Sequence, residues 1–208
     1  MGENKSELGL LVYILPFLAV TPALYAMGWE SYEASILIVA VPFMTFPVIL
    51  IVGQLYNGEE FWKNKMKEGG ILALGALGAS LSAALWLVYD YVDALPNFDE
   101  QQSVTQWLEW VSFDLLQSDY TLTSGSKILG MGVWIDSITL MILFVATFLC
   151  FLICWFSLGY MNTDPINEDR NHRFYGEFVL FALGMFGMVL ADNFLWLFIF
   201  WEVMGLCS

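Results

Sequence analysis

The chain has few basic residues, and this scarcity excludes a large class of functions. Lysine and arginine together number 7 among 208 residues, against 21 aspartates and glutamates, so the formal net charge is −14. A protein this acidic cannot neutralise a phosphate backbone, and we therefore expect no nucleic-acid partner. Charged residues of both signs make up only 13% of the chain, whereas soluble domains usually carry about 25%.

Residues that commonly bind metals or support redox chemistry are also scarce. The three cysteines, Cys150, Cys154 and Cys207, all fall in apolar runs, and no further ligands cluster near them as a zinc site would require. We interpret them as small apolar packing residues, and the one histidine, His172, as a solvated loop residue. The sequence has no cysteine cluster, dinucleotide-binding fingerprint or pair of haem ligands, so we predict no metal and no cofactor in this chain.

Apolar residues are abundant and form 59% of the chain. A helix of about 20 apolar residues is long enough to cross a bilayer. Several runs reach this length, so we predict an all-α, polytopic transmembrane protein with about six membrane spans, embedded in a lipid bilayer. The runs cover residues 8–29, 34–56, 70–92, 136–161 and 174–189, followed by a shorter run from 193 to 208.

The segment 93–133 differs from the rest because it is long, acidic and not continuously apolar. Two pieces of it, WLEWVSFDL and DYTLTSGSKILGMGVWI, have the composition of short strands joined by turn residues. A mobile loop would have little use for Trp107, Trp110 and Phe113, so we expect a short outward-facing β-hairpin that caps its own subunit. The chain then divides into an N-terminal transmembrane helix (1–33), two transmembrane helices (34–92), the acidic hairpin (93–133) and three transmembrane helices (134–208).

The distribution of basic residues predicts how the protein lies in the membrane. Six of the seven fall in the N-terminus or the even-numbered loops, and only Lys127 lies in an odd-numbered loop. Since basic loops stay on the cytoplasmic side, we place the N-terminus and loops 57–69 and 162–172 in the cytoplasm and 93–133 outside. We predict a multi-pass protein of a cell membrane, namely the cytoplasmic membrane of a prokaryote.

One carboxylate lies inside a run that has no other charge. In the run from Asn193 onward, FLWLFIFWEVMGLCS, Glu202 is the only charged residue. It follows Asn193 by nine residues, or about 13–14 Å along a helix, close to the middle of a hydrocarbon core about 30 Å thick. A carboxylate at that depth is unfavourable and marks a functional site by default. No lysine or arginine lies in any apolar run to neutralise it, so its partner has to come from elsewhere.

Other carboxylates lie nearer the ends of the spans. Glu177 follows Arg173 by four residues, and this spacing favours an i,i+4 ion pair at the cytoplasmic interface. The alternative for Glu177 is a group through which protons are taken up. Asp136 and Asp192 each lie at the end of a span, where a carboxylate caps a helix or makes interfacial hydrogen bonds.

Several short motifs in the second half of the chain resemble a known family. They are WID at 134–136, SLGYM at 157–161, Arg173-Phe174 opening a helix that LADN closes at 190–193, and WEVMGLCS at 201–208. These motifs resemble the N-terminal part of the antiporter-like subunit L family of respiratory complex I. That family includes the mitochondrial counterpart and the first subunit of multisubunit sodium/proton antiporters. The resemblance covers about residues 105–208; 34–56 and 70–92 match in hydropathy and spacing only, and 8–29 is an additional helix.

The resemblance implies a function for Glu202. In the family, the glutamate of the last motif pairs with a lysine on a later, broken helix and belongs to a proton-conducting chain; by the motif, that glutamate is Glu202. The chain would then be the N-terminal part of the proton-translocating subunit of a complex I-like NADH-, deazaflavin- or ferredoxin-quinone oxidoreductase. Such a subunit contains no redox centre. Glu177 departs from the family pattern, in which that position is usually uncharged.

The family continues far past this last motif. The resemblance therefore implies a fragment or one product of a split gene, with a second polypeptide that supplies the rest of the antiporter-like fold and the paired lysine. Other membrane subunits of a complex I-like assembly are the further partners expected. Two alternatives stay open. One is a subunit of a multisubunit sodium/proton antiporter or inorganic-carbon uptake system of the same superfamily; the other is a structural scaffold, in which neutralising Glu202 changes nothing.

Overall fold

The computed structural model describes residue 15 and residues 19–57, 59–94, 106–113, 129–161 and 170–208. Within them the chain forms six α-helices, one two-stranded sheet, a π-helical turn (Phe61–Lys65) and a 3-10 turn (Lys67–Gly69). The helices are α1 (Val20–Ala26), α2 (Ser31–Leu55), α3 (Gly70–Ala94), α4 (Ser137–Tyr160), α5 (Asn171–Leu190) and α6 (Phe194–Cys207). The strands are β1 (Gln106–Phe113) and β2 (Leu129–Ile135). This architecture confirms the predicted all-α class.

Four helices are long and apolar enough to cross a membrane. They are α2, α4, α5 and the segment Lys67–Asp93, which includes nearly all of α3. These four correspond to the second to fifth apolar runs of the sequence. Helix α6 is apolar but has only 14 residues. Part of the first predicted run, 8–29, lies outside the described residues, so the total of about six spans stays a prediction.

Side-chain caps determine where two of the helices begin. At the start of α4, Asp136 accepts a hydrogen bond of 2.7 Å from the backbone N–H of Thr139, and this bond lowers the pKa of the carboxyl. At the start of α6, Asn193 accepts a bond of 3.1 Å from the N–H of Trp196 and donates its own amide to Asp192 at 2.7 Å. The capping role predicted for Asp136 is confirmed. Asp192 acts one residue earlier, by holding the capping residue.

Replacing Asp136 with alanine should lower the free energy of unfolding by about 1 kcal/mol, the usual worth of such a cap. Asparagine keeps an acceptor oxygen, so Asp136→Asn should retain most of the stability. Because the folded-state pKa of Asp136 is lowered, the stabilisation is present above the unfolded pKa and is lost as the pH falls through the folded value.

Thermal unfolding of the detergent-solubilised protein at several pH values measures both effects of the Asp136 substitutions. Asp93→Ala, at an exposed position near the end of α3, is the matched control and should leave the unfolding temperature unchanged. Equal unfolding temperatures for Asp136→Ala and the unmodified chain would show that this cap does not stabilise α4.

The segment between α3 and α4 contains the strands that the sequence predicts. β1 and β2 run antiparallel, with Trp107 opposite Trp134. The register shifts between Glu109 and Val111, an irregularity of the kind that bends a strand and increases its twist. β1 lies near α2, and β2 lies near α4 and α5. The predicted hairpin therefore forms at one end of the helical bundle.

Helix α5 is the central helix of the bundle. It packs against α2, α3, α4 and α6, and its Tyr175 and Phe186 are fully buried. Helix α3 packs between α2 and α4, because its inner face carries the small buried residues Gly75, Ala79 and Ala83. Small residues let helix backbones approach closely in a membrane. Helix α5 is thus the helix on which α6 packs.

Candidate functional site

Helix α6 is held against α5 by a close crossing at two glycines. A Cβ atom added to Gly184 would lie 2.8 Å from the backbone nitrogen of Met204 and 3.0 Å from the carbonyl oxygen of Phe200. A Cβ atom on Gly187 would lie 2.5 Å from the ring of Phe200. At Gly184 no side chain separates the two helices, so the backbone of α6 lies directly on α5. The crossing fixes residues 200–204 relative to α5.

This crossing sets the depth of Glu202. The residue belongs to the part of α6 that faces Gly184, which precedes the end of α5 at Leu190 by six residues. Six residues correspond to about 9 Å of helix. Glu202 itself follows the capping residue Asn193 by nine residues, or about 13–14 Å. Glu202 therefore lies about 9 Å from the end of α5, measured along the bundle.

Glu202 lies on an exposed, apolar face of α6. Its neighbours one turn away on that face, Phe198 and Leu206, are also exposed, and Leu206 has 86% of its surface accessible. Among the described residues, α6 contains no buried side chain. A lone carboxylate is unfavourable against lipid at this depth. The face therefore suits a protein partner that brings a polar or cationic group to Glu202.

The spans that the structure describes do not supply a cation at this depth. Residues 174–208 contain no lysine or arginine, and the same is true of residues 68–126 and 128–169. The spans that the structure describes thus offer no ammonium or guanidinium group near the middle of the bundle. The pairing of Glu202 with a lysine outside this chain therefore stays a prediction.

Glu177 lies on α5 at a different depth. It precedes Gly184 by seven residues and is therefore about 10 Å closer to the opposite end of the bundle. Its side chain is exposed, as is that of Arg173, and in the described chain the expected ion pair between them is not formed. Cys207, at the end of α6, is within electrostatic range of Glu177. Glu177 and Glu202 thus share one pair of helices, but the structure does not bring them together.

The interpretation of His172 as a solvated loop residue is wrong. Helix α5 begins at Asn171, three residues before the predicted run, and this brings His172 into the bundle with 6% of its surface exposed. A Cβ atom on Gly53 of α2 would lie 2.5 Å from the Cβ of His172, so the histidine fills space that the glycine leaves. Hydropathy cannot reveal this, because Asn-His-Arg is as polar as a loop although its first two residues are buried.

Sequence reasoning also missed Glu68, which it placed in a polar loop. The residue is 5% exposed, and its Oε2 accepts a hydrogen bond of 3.0 Å from the backbone N–H of Asn171. The two residues are 103 positions apart, so no local pattern predicts the contact. The one available signal is the glycine pair that follows. Gly69 takes a φ of +92°, and a Cβ atom on Gly70 would lie 2.7 Å from the ring of Tyr175.

The contact between Glu68 and Asn171 also establishes which loops share an end of the bundle. The described residues just before α3 and those at the start of α5, which include Arg170 and Arg173, lie together at one end. The hairpin lies at the other end, where Val133 forms an isolated β-bridge with Ala191, just past α5. The basic loops and the acidic hairpin are thus separated by the length of the spans, which is the arrangement that the charge distribution predicts.

Comparison with known proteins finds relatives over most of the chain. The family described as NADH-ubiquinone oxidoreductase (complex I), chain 5 N-terminus, matches residues 122–175. The NAD(P)H-quinone oxidoreductase chain 5 of Synechocystis sp. is 29% identical over 178 residues, 85% of this chain and 23% of the relative. The NADH-quinone oxidoreductase subunit L of Neisseria meningitidis is 25% identical over 169 residues, 80% of this chain and 22% of the relative. The NADH-ubiquinone oxidoreductase chain 5 of Metridium senile is 32% identical over 158 residues, 76% of this chain and 23% of the relative.

The chain spans less than a quarter of the length of these relatives. The alignment of 178 residues is too long to fit within 105–208, the region that carries the sequence motifs. The similarity therefore extends into α2 and α3, where the sequence alone indicates only shared hydropathy and spacing.

Proposed function

We propose that this chain is the N-terminal part of a member of the antiporter-like chain 5 and subunit L family of complex I, and that it forms the first part of a proton-translocating membrane subunit. The subunit couples electron transfer in a complex I-like NADH-, deazaflavin- or ferredoxin-quinone oxidoreductase to the movement of protons. The observation that carries the proposal is the position of Glu202. This carboxylate lies on an exposed, apolar face of α6, away from the end of α5, and the packing of α6 at Gly184 fixes its place.

Glu202 carries the proton in this proposal. In a medium of low dielectric constant a carboxylate keeps its charge only while a cation is close, so withdrawal of the cation favours the binding of a proton. The cation is a lysine outside this chain, because the described spans supply none at that depth. The crossing at Gly184 supports the role, since it holds Glu202 in one place while the partner moves.

Glu177 is the other carboxylate on the same proton path, and the proton reaches it before Glu202. It lies about 10 Å from the depth of Glu202, toward the end of the bundle that carries the basic loops. We assign that end to the cytoplasm, with the N-terminus on the same side and the hairpin outside. Protons move from the cytoplasm by way of Glu177 to Glu202, with water bridging the distance between the two carboxylates.

The exposed face of α6 is the docking surface for the rest of the subunit. It is apolar around Glu202, so the segment that covers it presents apolar side chains and one lysine opposite the carboxylate. The remainder of the antiporter-like fold supplies this segment. Other membrane subunits of the assembly, which resides in a cell membrane, complete the surroundings of the chain.

Co-purification tests the assembly that this proposal requires. The full chain carries an affinity tag, is expressed in its native membrane and is isolated in mild detergent. Mass spectrometry of the isolated complex should find iron–sulfur and quinone-module subunits together with a polypeptide that continues the antiporter-like fold. Recovery of small hydrophobic antiporter subunits, with no redox subunit, would instead assign the chain to a sodium/proton antiporter or an inorganic-carbon uptake system.

A further inference from the structure

The turn that leads into α3 holds its backbone in an unusual conformation. Lys67 and Glu68 have φ values of 46° and 53°, and Gly69 follows at 92°. A left-handed conformation is unfavourable for a residue with a side chain, and it persists only where the surroundings impose it. The surrounding contact here is the one that Glu68 makes with α5.

Glu68 lies at the N-terminus of α5, where backbone N–H groups favour a negative charge. Its Oε2 accepts a hydrogen bond from the N–H of Asn171, and Arg170, at the N-cap position, makes no side-chain cap of its own. Glu68 is buried. The buried carboxylate of Glu68, from the loop before α3, therefore takes the place of a local side-chain cap at the start of the 20-residue helix α5.

Two buried polar atoms in the same helical turn have no hydrogen-bond partner among the described residues. They are Oδ1 of Asn171, in a side chain 2% exposed, and Nδ1 of His172, in a side chain 6% exposed. Nε1 of Trp62, on the loop that carries Glu68, is a third such atom. Burying a polar atom without a hydrogen bond is unfavourable. Water or hydronium satisfies this mixture of donors and acceptors.

Charged and titratable groups flank the site. Lys67 is adjacent to Glu68, and Arg170 and Arg173 bracket the first residues of α5. Both arginines are exposed, so water and salt screen their charges. Tyr175, further along the same turn of α5, donates its hydroxyl to a backbone carbonyl of α4 at 3.3 Å. The site thus combines one buried carboxylate and one buried imidazole with screened cations at the surface.

We propose that Glu68 and His172 form a proton-uptake site at the basic end of the bundle. The inference rests on the proposed function and adds its first step. Water at the cytoplasmic surface delivers a proton to the carboxylate of Glu68 or to the imidazole of His172, and the proton then moves along α5 to Glu177. His172 precedes Glu177 by five residues, about 7–8 Å of helix. Only a proton is transferred, so the step needs no oxidant or reductant.

Proton uptake into inverted membrane vesicles, whose cytoplasmic face is outward, tests the site in the assembled complex. Glu68→Gln keeps an acceptor oxygen for the N–H of Asn171 but cannot carry a proton. It should slow proton translocation about tenfold or more, while assembly and electron transfer to an artificial acceptor are retained. Glu59→Gln, at an exposed position on the same loop, is the matched control and should translocate normally. Glu68→Asp should restore part of the rate and its dependence on external pH.

The outcomes separate a proton carrier from a structural cap. If Glu68→Ala reduces assembly while Glu68→Gln translocates protons at the normal rate, Glu68 only caps α5 and the inference is overturned. If the Glu68→Gln complex does not assemble, the His172→Gln variant is the deciding test. Its rate of proton translocation should fall about tenfold. A normal rate in this variant would overturn the proposed uptake site. Glu202→Gln is measured in parallel. A block at Glu202 with normal Glu68 and His172 variants removes the uptake site alone, whereas normal translocation in all three removes the proposed function.

Discussion

Gly184→Val should prevent α6 from packing on α5 and should abolish accumulation of the assembled subunit. The Cβ of any larger residue would meet the backbone of α6, 2.8 Å from the nitrogen of Met204, and a backbone cannot move aside as a side chain can. Overpacking costs typically about 1–3 kcal/mol even where the surroundings relax. Here the alternative is to displace the whole of α6, and with it Glu202.

The control for this substitution is a glycine in an open position. Gly159→Val in α4 introduces the same side chain into a membrane helix, but a Cβ there meets nothing within 4 Å. Immunoblotting of the isolated complex against total chain in the membrane gives the assembled fraction for each variant. Normal assembly of Gly184→Val would mean that the close crossing does not hold α6. Gly187→Ala should have a smaller effect, because it meets the ring of Phe200 and not the backbone.

Much of the fold could be predicted because span length and hydropathy are local properties. The starts of two helices were placed too late, and the reasons are physical. The start of α5 is stabilised by Glu68, which is 103 residues away in sequence. At the start of α2, Glu30 and Glu33 form a capping box, so both belong to the helix terminus and not to a turn. A prediction from hydropathy assigns such polar residues to a loop.

The sequence predicts how far along its helix Glu202 lies, but it does not predict toward which side of the helix the residue faces. The position of Glu202 along its helix follows from counting residues after Asn193. Which way Glu202 faces depends on which side of α6 meets Gly184 and Gly187. Helix α6 is apolar on every side apart from Glu202, so its sequence carries no periodic signal for that choice. The buried state of His172 was missed for a related reason, since it depends on the glycine at position 53 of a distant helix.

Glu202→Gln should nearly abolish proton translocation while leaving the complex intact. Glutamine has almost the same shape as glutamate, and Glu202 is exposed on α6, so the packing of α6 on α5 is preserved. The substitution removes the charge that opposes the partner lysine, and an unpaired ammonium in a low-dielectric medium is strongly unfavourable. The lysine then cannot alternate between a paired and a released state. Loss of a positioned proton-transfer group typically reduces a rate about 10²-fold or more.

Glu177→Gln should reduce translocation less than Glu202→Gln. Glu177 lies about 10 Å nearer the basic end of the bundle, where it is exposed and water can carry protons past it. The rates of proton translocation of the two variants, each normalised to assembled complex, therefore show which carboxylate contributes more. An effect of Glu177→Gln as large as that of Glu202→Gln would place the essential carboxylate on α5 as well as on α6.

The most direct test of Glu202 as the proton carrier is proton uptake into sealed vesicles. The rate is normalised to the amount of assembled complex and to electron transfer at an artificial acceptor. The Glu202→Gln complex should retain assembly and electron transfer but lose nearly all proton uptake, and Glu202→Asp should recover part of that uptake. Proton uptake by Glu202→Gln at the rate of the unmodified complex would contradict the account and leave α6 with a structural role only.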